Sequence, residues 1–70
     1  MVNTLKNSRL RKNYILLAEN EYLQGNKEKA IDFYLKSLEF KGSKEEDIEI
    51  LFNLALIYDE LDLALESKKA

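Results

Sequence analysis

Carboxylates, lysines, tyrosines and serines are the only side chains here that could carry out catalysis, because the sequence has no His and no Cys. That removes the usual general base, the thiolate nucleophile and the common zinc ligands. Glu19 and Glu49 could in principle form a carboxylate pair for acid–base work. Nothing around them has a recognised catalytic spacing, so they read as surface charges. The acids at 45–49 and 59–62 lack the alternating Asp spacing and central Gly of a calcium loop. No glycine-rich phosphate cradle is present. The residue types therefore predict a non-enzyme with no cofactor and no metal.

Binding chemistry is better represented. Lys6, Arg9, Arg11 and Lys12 lie in residues 1–13 with no acid among them, and residues 45–66 carry eight acids and no base. Such segregation can steer a charged partner or pair the two ends of a fold. Arg9, Arg11 and Lys12 beside Tyr14 could meet phosphates, but four bases in a chain of net charge −2 make a thin footprint. Nucleic acid is thus a disfavoured partner.

The elements that must hold these residues are helices. The chain is 46% hydrophobic and 34% charged, with no Pro and only two Gly. There are enough large apolar residues to rule against disorder, and few helix breakers. Gly25-Asn26 and Gly42-Ser43 divide it into three segments, each Gly suited to a left-handed helix end and each following residue to an N-cap. Ser43 and Glu46 form a capping box, with Glu45, Glu46 and Asp47 at the positive end of the third helix. Steps of three and four place Leu10, Tyr14, Leu17, Ala18 and Glu21 on one face of the first helix. They place Ala30, Ile31, Tyr34, Ser37 and Leu38 together on the second. On the third they give a main stripe of Ile48, Leu51, Leu54, Ala55, Tyr58, Leu61 and Leu65, with Ile50, Phe52, Leu56, Ile57 and Leu63 off it. Short turns make consecutive helices antiparallel. The expected fold class is all-α: an antiparallel helical hairpin plus a third helix, in one domain over 1–70. The longest apolar-rich stretch, Ile48 to Tyr58, is too short to span a bilayer, and no signal-peptide core precedes Tyr14. The expected location is the cytoplasm.

Tyr14 to Phe40, YILLAENEYLQGNKEKAIDFYLKSLEF, resembles one tetratricopeptide repeat. Tyr14, Leu17, Ala18 and Gly25 supply the first helix's large, Leu, small and turn positions, and Ala30, Tyr34 and Ser37 those of the second. Glu21 stands where the family has its later aromatic, with Tyr22 beside it, and Gly42 stands where the family has Pro. LFNLALIYDE from Leu51 looks like another first helix, 37 residues after Tyr14, whereas Ala30 and Ala64 lie 34 apart, the family's period. Asp59 to Leu63 lacks a Gly, so the third helix is expected to run on towards the C-terminus. The resemblance covers about one and a half repeats: residues 1–11 as an extension or helix start, 12–41 as the first repeat and 44–70 as a partial second.

The resemblance implies a protein-interaction module whose concave face is built from first helices. Carried over by position, that face holds Lys12, Ile15, Glu19, Tyr22 and Leu23, then Glu49, Phe52, Asn53, Leu56 and Asp59. Asn53 matches an Asn that family members use on peptide backbone. Ile15 and Glu19 stand where one subgroup has residues that clamp a C-terminal carboxylate, so that function is not expected. An acidic third helix calls instead for a basic and apolar protein or peptide. Because a stack needs about three repeats, the chain is also expected to be a homo-oligomer or part of a longer array. Phe52, Leu56 and Ile57 are the residues expected to lack intrachain cover. The alternative is a purely structural, self-assembling helical unit.

Overall fold

The computed structural model describes the backbone of residues 2–69 and the side chains of 9–63. Three helices follow one another: α1 (Val2–Leu23), α2 (Lys27–Ser37) and α3 (Lys44–Lys69). Among the described residues there are no strands. The chain is all-α, as the three- and four-residue periodicity requires. The Val2 start makes the N-terminal stretch part of the first helix rather than a separate arm. α3 is continuous past Tyr58, with no turn at Asp59–Leu63. Leu65 and Ala64, invoked above for stripe and period, lie outside the described side chains.

The first turn works as its residues suggest, with one change. Gly25 has φ +88°, the left-handed conformation that costs a residue with a Cβ. The Asn26 amide donates to the Glu21 carbonyl at 2.8 Å and the Gly25 amide to the Tyr22 carbonyl at 3.0 Å, the paired bonds of a Schellman ending. Asn26 precedes α2, but its side chain does not cap that helix. It points back and donates through Nδ2 to Glu21 Oε1 at 2.8 Å. Glu21, an acid on an otherwise apolar face, thereby has a partner.

The second turn departs further from expectation. α2 ends at Ser37, and amide-to-carbonyl bonds from Glu39 to Lys36 and from Phe40 to Ser37 lead the chain out. Phe40 stacks on Tyr14, with centroids 5.7 Å apart and planes 13° from parallel. Its carbonyl accepts from Arg11 Nη1 at 3.1 Å. Residues 38–42 are thus held across α1 rather than continuing α2. Gly42 does not have a positive φ; only Gly25 does. A Cβ at Gly42 would lie 2.6 Å from Arg11 Cζ and 2.6 Å from Glu46 Oε1, so its glycine is required by crowding. The capping box is formed: Glu46 N–H donates to Ser43 Oγ at 3.1 Å, and Ser43 N–H donates to Glu46 Oε1 at 3.3 Å.

The core holds Ala18, Ala30, Ile31, Tyr34, Ile50, Leu54 and Ile57, flanked by half-buried Ile15, Tyr22, Phe33, Leu38 and Leu61. Ala18 of α1 and Ala30 of α2 are both fully buried in this core, small side chains that let packed helices approach. The α2 face matches its periodicity: Ala30, Ile31, Tyr34 and Ser37 are buried, and the Ser37 hydroxyl donates to the Tyr34 carbonyl at 2.6 Å. The other two faces need correction. On α1, Leu17 is largely exposed, while Arg11 is in the interior. On α3 the core stripe is Ile50, Leu54 and Ile57 with half-buried Leu61; Leu54 and Leu61 belong to the expected stripe, and Ile50 and Ile57 join them from off it. Ile48, Leu51, Ala55 and Tyr58 face outward. Ile57, expected to lack cover, is only 2% exposed. A helix apolar most of the way round offers two stripes of equal spacing, and contacts elsewhere select between them.

Two cross-chain bonds show how α1 and α3 run. Arg11 pairs with Asp47, 36 residues on, near the start of α3. Tyr22 Oη donates to Glu60 at 2.8 Å, 38 residues on, near its far end. The offsets are nearly equal and in the same sense, so α1 and α3 are parallel, with α2 antiparallel to both. The radius of gyration, 13.8 Å, exceeds the roughly 11 Å of a compact chain of this length. The 11-residue α2 covers only part of its 22- and 26-residue neighbours.

Candidate functional site

The parallel course of α1 and α3 leaves a groove between them, floored by Tyr34 of α2. One end, about 240 Å³, is lined by Lys12, Ile15, Leu16 and Glu19 from α1 and by Glu46, Glu49, Ile50 and Asn53 from α3, over Tyr34. The other end, about 310 Å³, is lined by Glu19, Tyr22, Leu23, Tyr34 and Asn53. Glu19, Tyr34 and Asn53 border both, so the two form one trough along the helix axes.

Seven of the ten expected residues meet there: Lys12, Ile15, Glu19, Tyr22, Leu23, Glu49 and Asn53. Phe52, Leu56 and Asp59 do not; they are exposed on α3 outside the trough. The same rotation of α3 that buries Ile50 and Ile57 carries Phe52 round to the outer side. Sequence reasoning missed Leu16, Tyr34, Glu46 and Ile50. The α2 periodicity places Tyr34 on the buried face of its helix. Tyr34 does lie in the core, 3% exposed, and it also borders both ends of the trough.

The charge of the trough is lopsided. Glu19, Glu46 and Glu49 face a single cation, Lys12. Burial foremost, and then the Glu19 carboxylate, push the Tyr34 phenol above its ordinary 10.0, with Tyr22 adding a little and Asn53 hydrogen bonding opposing. Tyr34 therefore stays a neutral hydroxyl at physiological pH, able to donate or accept. Tyr22 is also raised, chiefly because its hydroxyl donates to Glu60. At the floor's rim the Asn53 amide offers two donors and an acceptor. The trough is thus an apolar-walled, acid-rimmed slot with neutral hydrogen-bonding groups at its centre, suited to a chain bearing both basic and apolar side chains.

Arg11 is not available for such binding. It is 2% exposed, held by Asp47 and the Phe40 carbonyl, and its Nε has no partner. The basic patch read from residues 9–12 therefore loses its central member, which further weakens a phosphate-binding role. Among the described residues no group of three or more Asp or Glu is placed to hold a metal ion. None of the described helices is long and apolar enough to cross a membrane. No known protein family, curated protein or solved structure matches this chain.

Proposed function

We propose that this chain is a tetratricopeptide-type protein-interaction unit, not an enzyme, whose α1–α3 trough takes a short segment of basic and apolar side chains. The observation that carries this is the trough's composition: Ile15, Leu16 and Ile50 form its walls, three carboxylates outnumber one lysine, and Tyr34 and Asn53 stand at its middle. The repeat reading draws support from the parallel α1 and α3, offset by 36–38 residues, and from the buried Ala18 and Ala30. A basic side chain would sit among Glu19, Glu46 and Glu49, an apolar neighbour would enter between Ile15 and Ile50, and Asn53 would meet the backbone.

Fluorescence anisotropy with a labelled peptide of alternating Lys and Leu, against a Glu-and-Leu control, tests this. The basic peptide should bind and weaken as salt rises, and the acidic one should not bind. Glu49→Lys should reduce affinity at least tenfold, while Phe52→Glu, outside the trough, should leave it unchanged. Equal binding of both peptides, or an unaffected Glu49→Lys, would refute the assignment.

A further inference from the structure

The outer face of α3 carries Ile48, Leu51, Phe52, Tyr58 and Leu63, all about half or more exposed, with Leu56 beside them. Taking about 200 Å² for each large side chain, this face shows roughly 700 Å² of apolar surface. The sum approaches the roughly 800 Å² that each partner buries in a stable interface. α1 carries a shelf lined by Asn13, Leu16, Leu17, Glu19, Asn20 and Leu23, of which Leu16, Glu19 and Leu23 also border the trough. Leu16 is 62% and Leu23 is 82% exposed.

The charges bordering the two faces differ in sign. At the α1 shelf the exposed charges are Arg9, Lys12 and Glu19, a net positive set; along the α3 face they are Lys44, Glu45, Asp59 and Asp62, a net negative set. Pairing α3 with the α3 of another copy would bring these acids together, which disfavours a symmetric dimer. Pairing α3 with the α1 of another copy joins opposite charges and covers both apolar surfaces.

We infer that the chain assembles head to tail: the outer face of α3 of one copy docks on the shelf of α1 of the next. An antiparallel register that sets Phe52 against Leu23 and Tyr58 near Leu16 and Leu17 places Lys12 beside Asp62. Each copy then uses one donor face and one acceptor face, so growth does not stop at two. The shelf and the trough share Leu16, Glu19 and Leu23, whereas Leu17 belongs to the shelf alone.

Half-interface variants test it. Leu17→Glu spoils the α1 shelf without touching the trough, and Phe52→Glu spoils the α3 face; both positions are exposed, and circular dichroism checks that both fold. Sedimentation of the unmodified chain should show mass rising with concentration beyond a dimer. Each variant alone should need at least tenfold more protein to associate. Mixed one to one, the two should form a capped heterodimer, since the first retains an intact α3 face and the second an intact α1 shelf. A monomeric unmodified chain at about 100 µM, or dimers abolished by Phe52→Glu and untouched by Leu17→Glu, would overturn the inference.

Discussion

Removing Asp47 should damage the fold more than removing Arg11, although the two form one ion pair. Arg11 is 2% exposed and Asp47 is 45% exposed. In Asp47→Ala the guanidinium stays in the interior with only the Phe40 carbonyl as acceptor and an Nε already without a partner. An uncompensated charge in a fully buried pair costs about 3–5 kcal/mol. Since Asp47 is half in water, the expected loss is about 2–3 kcal/mol. In Arg11→Met the freed carboxylate returns to solvent, the orphaned Nε disappears, and an apolar chain fills the channel. Lost hydrogen bonds and relieved desolvation then nearly offset, leaving a change within about 1 kcal/mol. A chain of 70 residues has about 3.5–10 kcal/mol in total, so the first variant consumes a large share. Urea unfolding followed by far-ultraviolet circular dichroism reads both. With a slope near 1 kcal/mol/M, Asp47→Ala should lower the midpoint by about 2–3 M and Arg11→Met by about 1 M or less. If Arg11→Met is the more damaging, or Asp47→Ala shifts the midpoint by under about 0.5 M, the buried guanidinium is not what governs this junction.

The two glycines should fail for different reasons. Gly25→Ala meets nothing within 4 Å and should cost about 1–2 kcal/mol through its positive φ alone, with Gly25→Asn milder. Gly42→Ala should cost about 1–3 kcal/mol from collision with Arg11 and Glu46, and urea titration in an Arg11→Ala background should show much of that penalty gone. Ser43→Ala removes the acceptor of the Glu46 amide and should cost about 1 kcal/mol by the same assay. Tyr22 and Tyr34 have folded pKa values raised above 10.0. Stability from these hydroxyls is therefore complete below about pH 10 and is lost as pH rises through the folded values. Tyr22→Phe should flatten that alkaline loss in thermal melts at pH 9–11, and an unchanged slope would count against the Tyr22–Glu60 bond.

Much of this architecture is legible in local residue order, because its causes are local. The absence of Pro, the steps of three and four, and the Gly25 turn predict three helices. Ser43 and Glu46 satisfy each other within one turn, so their capping box needs nothing distant. Ala18 and Ala30, small residues on otherwise large faces, mark where α1 and α2 meet. Seven trough residues follow from placing α1 and α3 as neighbours. What the tertiary structure alone decides is rotation and burial. Two apolar stripes of α3 have the same spacing, and periodicity cannot rank them; contact with α2 and the tie from Asp47 to Arg11 bury Ile50 and Ile57 and turn Phe52 outward. Arg11 has the residue type of a surface base, and only the loop crossing over it, with the Phe40 carbonyl and a Cβ-free Gly42, gives a buried cation its place. A pattern along one chain records which residues share a helix face; what lies opposite that face depends on the energy of packing three helices at once.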